Sequence, residues 1–222
     1  MVSVELDLTK RQIILHAKII TYGNASSEEL TAYQAQEIEM LWNEPLTIIV
    51  IDKVPFTVNF RIRHEWLPDI SPEEIITNTD PSLNFYRIEE FAYGNISFVD
   101  GIGSNTGYFK LENLYPGSTT AAHEFGHGLG LDHPRELDIR GLGRPGIMYP
   151  RGTWVDPAYQ YDSTAMPGAP GGTMHPMNRR VLPADIELLH LEKIKFKEGK
   201  AILGEFTSVY HQDHSKLPLD LF

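Results

Sequence analysis

The chain contains no cysteine. Disulfides and thiolate ligands are thereby excluded, and any zinc site must be built from His, Asp or Glu. The absence leaves the compartment open, because a cysteine-free domain survives in either redox state. Long apolar runs are missing too, and no window approaches the roughly 18 residues needed to span a membrane. The longest, Leu46–Ile51 (LTIIVI), reads by its length as a buried strand. The N-terminus, MVSVELDLTKRQ, has no basic stretch followed by an apolar one and no small-residue cleavage site. It does not read as a signal peptide, which leaves a cytosolic protein or a mature or excised domain as the expectation. Basic residues are scarce: 19 Lys and Arg face 30 Asp and Glu, for a net charge of −11. A surface of that sign repels nucleic acid and anionic membrane, so neither is an expected partner. It suits divalent cations, and structural Ca2+ stays open beside plain solubility.

What remains is an ordinary globular composition, 41% hydrophobic and 22% charged over 222 residues. That is long enough for one large domain or two lobes sharing a cleft. Residues 12–21 (QIILHAKIIT) are rich in β-branched side chains and read as a strand. Ser26 with Glu29 forms a capping-box pattern, and Leu30, Tyr33, Ile38 and Leu41 line one face of a helix ending near Asn43. Residues 56–63 (FTVNFRIR) alternate without a fault, so that strand has one wet face. A short helix after Ser71 and strands at 84–90, 95–99 and 107–111 follow. Asp100–Gly107 reads as a surface turn, with an ion-binding loop as the alternative. Beyond residue 134 a long Pro- and Gly-rich stretch ends at Pro183, which opens a helix over 183–194. A short strand is placed at 201–206.

Residues 123–133, HEFGHGLGLDH, carry the chemistry. His123 and His127 are four apart, so on a helix they project from one side, while Ala122, Phe125 and Leu129 face the core. Two imidazoles so spaced can bind one tetrahedral zinc, and Glu124, pointing elsewhere, is free to act as a base. A straight helix would carry His133 about 9 Å beyond His127. If Gly130 ends the helix in a left-handed conformation, His133 swings back to become the third ligand. Asp132 is the alternative third ligand. Gly126 and Gly128 are open to a role in close packing. Chance occurrence of these five positions is on the order of one in ten thousand. Of the other histidines, His16, His64, His175 and His190 are scattered and carry no site, while His211 and His214, in HQDHS, read as surface groups of a polar tail with metal binding as the alternative.

HEFGHGLGLDH resembles the HExxHxxGxxH zinc motif of the metzincin metallopeptidases. Gly146–Pro150 (GIMYP) looks like their methionine turn, in the version closest to matrixins. The resemblance covers 118–150 as sequence and most of 12–194 as order of elements. It implies an α+β fold, with a twisted mixed β-sheet and two long helices in an N-terminal lobe. A small irregular C-terminal lobe ends in a helix, and the active-site cleft lies between. A single catalytic domain would span 1–222, divided into 1–133, with the zinc helix at about 118–130, and 134–222, with the methionine turn and the 183–194 helix. His123, His127 and His133 would bind Zn2+, Glu124 would be the general base, Met148 the floor of the site and Gly130 the hinge. The implied activity is zinc-dependent endopeptidase, monomeric and secreted. An extended polypeptide substrate would pair with the edge strand, placed at 107–111.

There are departures. No cysteine-switch latency can reside in these residues, and Pro150 stands where astacins and serralysins carry a tyrosine that can approach the metal. Tyr149, Tyr159 and Tyr161 are candidates to assist an oxyanion, or simply packing and pocket wall. The 150–182 stretch is longer than the matrixin loop that walls the pocket for the residue after the scissile bond. Two further readings stand: a metallopeptidase toxin or effector module of a larger secreted polypeptide, and an inactive zinc-binding interaction domain, against which the intact Glu124 argues.

Overall fold

The structure, a computed structural model, describes residues 1–217. It is a mixed α+β fold around one curled sheet. Its strands are β1 (Val2–Asp7), β2 (Gln12–Tyr22), β3 (Ile48–Ile51), β4 (Val54–Trp66), β5 (Leu83–Glu89), β6 (Phe98–Val99), β7 (Thr106–Lys110) and β8 (Lys200–Leu203). The helices are α1 (Glu28–Asn43), α2 (Pro72–Ile76), α3 (Thr120–Gly128) and α4 (Pro183–Glu187). The main path runs β3-β4-β2-β5-β7-β6. β2 is parallel to β4 and β5, and β5 to β7, whereas β3 and β6 are antiparallel to their neighbours. β1 pairs with the first half of β2 and carries β8 on its other side. Among the described residues no helix is long and apolar enough to cross a membrane.

The alternation read in 56–63 is present: Phe56, Val58 and Phe60 are buried on the face covered by α1. α1 contributes Ala35, Ile38, Leu41 and Trp42 to the same core, which continues through Phe125 of α3 to Met148. Trp42 ties the helices together, donating from Nε1 to the Ala122 carbonyl at 3.1 Å while its ring meets Phe125 edge-on.

Several expectations are corrected. The α1 cap is Ser27, whose Oγ accepts from Leu30 N at 3.2 Å; Ser26 instead donates to the Gly23 carbonyl. The LTIIVI run is an edge strand, with Ile48 and Val50 each 57% exposed. α1 covers only one sheet face, and a run of β-branched residues does not report which face is bare. β7 is internal rather than an edge; the two-residue β6 forms that edge. The helix at 183–194 is broken: α4 is five residues long, and His190 at φ +50° separates it from a 3-10 turn at Leu191–Lys193. The 201–206 strand is β8, shifted to 200–203, and it returns to the sheet beside β1, which was not foreseen as a strand. Residues 200–203 therefore join the sheet built by the first half of the chain.

The following tail covers the 100–107 loop. Asn105 Oδ1 accepts from Thr207 N at 2.9 Å, and Ser104, Asn105 and Thr106 are fully buried, so this turn is at the surface only at Gly101 and Ile102. His211 and His214 are likewise not free surface groups. His211 Nε2 lies 2.9 Å from Asp100 Oδ1, and His214 stacks on Tyr108 at 3.7 Å.

Candidate metal centre

α3 ends as its glycines dictate. Gly130 has φ +103°; the Leu131 N–H bonds the Gly126 carbonyl and the Gly130 N–H the His127 carbonyl. This pair of bonds is the Schellman closure, which needs a left-handed residue that only glycine adopts without strain. The reversal brings His133 Nε2 to 3.1 Å from both His123 Nε2 and His127 Nε2. Among the described residues these three form the one group of His, Asp or Glu arranged to hold a metal ion. Among the described residues no further cluster of acidic side chains accompanies it.

The tautomers follow from the backbone. His123 Nδ1 lies 2.7 Å from the Ile147 carbonyl and His127 Nδ1 2.7 Å from the Leu131 carbonyl. A carbonyl only accepts, so each Nδ1 carries the proton and each Nε2 presents a lone pair. Burial lowers the pKa of all three imidazoles, that of His123 most, which favours the neutral form a metal requires. His133 could donate to only one of the two lone pairs facing it. A cation satisfies all three, and nitrogens about 2.0–2.1 Å from a tetrahedral zinc stand roughly 3.3 Å apart. The donor set fits zinc.

The supports lie beneath. Met148 is 2% exposed, and a Cβ on Gly126 would come within 2.3 Å of its Sδ and 3.1 Å of the Trp42 ring. Gly128 is constrained less severely: a Cβ there would stand 3.0 Å from the Ser104 carbonyl. Both glycines therefore permit close packing. Gly126→Ala is expected to lower stability by about 1–3 kcal/mol through overpacking, measurable as a shifted urea midpoint.

Asp185 was readable only as a helix-start residue. Its Oδ2 accepts from Leu182 N at 2.7 Å and Ile147 N at 3.3 Å, tethering the turn whose carbonyl orients His123. Asp185→Ala is expected to lower metal affinity about tenfold, the usual cost of losing a group that orients a ligand. Competition against a chromophoric chelator measures it.

Glu124 is buried beside His123. Burial pushes its carboxyl up to about 8, opposed by the charge of Arg179, the backbone of Val99 and the charge of Arg151. Arg179 was missed in the sequence, where Asn178-Arg179-Arg180 looks like any surface basic pair. It is 3% exposed and bonds Thr119 Oγ1 at 2.9 Å. Tyr149 and Tyr159 pack with Ile139, Val155 and Met174, and Tyr161 lies on His175. None of the three tyrosines is hydrogen-bonded to Glu124 or to the histidines. Asp132, the alternative ligand, is exposed and accepts the His133 N–H at 2.7 Å.

No protein-family model matches this chain, and no curated protein is significantly similar to it.

Proposed function

We propose that the chain is a zinc-dependent endopeptidase of metzincin type, closest in motif to matrixins. The observation that carries this reading is the set of three converging Nε2 atoms, two of them locked as lone-pair donors by backbone carbonyls, with Glu124 next to His123. His123, His127 and His133 would hold the metal. When bound, zinc acidifies a water toward a pKa of about 7 and polarises a carbonyl.

Glu124 accepts the proton from the attacking water and delivers it to the amine nitrogen as the C–N bond breaks, so no net proton is gained or lost by the enzyme. Its burial excludes bulk water from that transfer, while Arg179 and Arg151 favour the anion needed at the start. The substrate would lie extended along the exposed edge at 96–99, which borders the same cleft as the histidines and Glu124.

The test is cleavage of an unfolded protein mixture, followed by mass spectrometry, with metal content measured in parallel. Cleavage abolished by chelator and restored by zinc supports the peptidase. Stoichiometric zinc with no cleavage of any substrate would instead leave a zinc-binding interaction domain.

A further inference from the structure

Beside the three histidines a cavity of about 250 Å³ opens between α3 and the segment from 150 to 179. Its charge is opposite to that of the molecule. In a chain of net charge −11, the wall carries the guanidinium groups of Arg151 and Arg179 against the single carboxylate of Glu124. Arg179 is almost fully buried, yet the acceptors in contact with it are neutral: Thr119 Oγ1 at 2.9 Å, the Tyr149 carbonyl at 3.3 Å and the Ser118 carbonyl at 3.4 Å. Arg151 bonds only Asn113 Oδ1, at 3.0 Å. Among the described residues neither arginine forms an ion pair. Both instead face the one carboxylate of Glu124 across the cavity, so two guanidinium groups share a single anion and the wall keeps a surplus positive charge for a ligand to balance.

A second observation points the same way. Thr120 lines this cavity at 5% exposure, and its hydroxyl has no hydrogen-bond partner among the described residues. A hydroxyl donor and two planar fork donors converging on one space match a carboxylate.

We propose that this cavity binds a carboxylate of the substrate residue adjoining the cleaved bond. That carboxylate is either the side chain of Asp or Glu or the terminal carboxylate of the chain. This selectivity rests on the peptidase reading; the anion site itself does not.

Calorimetry on the zinc-loaded protein tests it with two pairs of probes. Asp-Ala-Ala-amide against Asn-Ala-Ala-amide reads an acidic side chain, and leucine against leucinamide reads a terminal carboxylate. The member of at least one pair that bears the carboxylate is expected to bind about tenfold tighter, as a charge-assisted contact requires. Arg151→Gln should bring the members of that pair within about twofold of each other. Arg179 holds three oxygens and its removal endangers folding, so Arg179→Lys, which keeps charge but loses the fork, is the second variant. Equal binding within both pairs would overturn the proposal, as would a preference that survives both substitutions. Carboxylate preference without any peptide cleavage would sink the peptidase reading alone. Cleavage without preference at acidic or terminal residues would sink the pocket alone.

Discussion

Glu124→Gln is expected to keep its zinc and to lose peptide cleavage by about 10²–10⁴-fold, the range over which a positioned acid–base group acts. The carboxylate is not among the three converging nitrogens, so metal affinity should change little. The amide has nearly the same shape, which isolates proton transfer from packing. A steady-state assay on a cleaved peptide, with zinc measured in the same sample, checks both halves. Cleavage at the parental rate would remove Glu124 from the mechanism.

The same substitution has a signature in the metal-free protein. Burial raises the Glu124 pKa from 4.5 to about 8. Between those values the folded state holds a proton that the unfolded chain has released, so stability falls as pH rises through that window. The contribution is complete below about 4.5 and gone above about 8. Glu124→Gln should flatten this part of the urea-midpoint profile.

The second large effect belongs to His133. Structural zinc in small sites is worth about 10–16 kcal/mol, so one ligand of three accounts for several of these, or a loss of roughly 10²–10³-fold or more in affinity. His133 is exposed, whereas His123 and His127 are buried. His133→Ala should therefore weaken zinc binding in competition titrations while leaving the metal-free fold intact by circular dichroism. Asp132→Ala is the matched control and should change affinity little. Loss in Asp132→Ala with retention in His133→Ala would reverse the assignment of the third ligand.

Local geometry was readable from the chain where a single residue type is compelled. Gly130 could be placed in the left-handed region because no straight helix delivers His133 to the metal, and its φ is +103°. Phe56, Val58 and Phe60 announced a one-sided strand by their period. The cap of α1 fell one residue off because Ser26 and Ser27 are equally able to accept, and the Gly23 turn claims the first. LTIIVI does not report its own burial, which depends on what covers a strand: β3 lies at the edge of the sheet with Ile49 in the core and Ile48 and Val50 on the bare face. The break at His190 has no proline or glycine to mark it. Arg179 and Asp185 were beyond reach for a different reason. Apart from the local bond of Asp185 to Leu182, each acts through contacts 30 to 61 residues away in sequence, and nothing in their neighbours records those partners.

The central claim is that His123, His127 and His133 hold one metal ion through Nε2. X-ray absorption at the zinc edge of the zinc-loaded protein tests it directly. One zinc per chain with three imidazole nitrogens at about 2.0–2.1 Å is expected, falling to two in His133→Ala. Zinc surrounded by oxygen alone, or an unchanged spectrum in the His123→Ala/His127→Ala double variant, would contradict it.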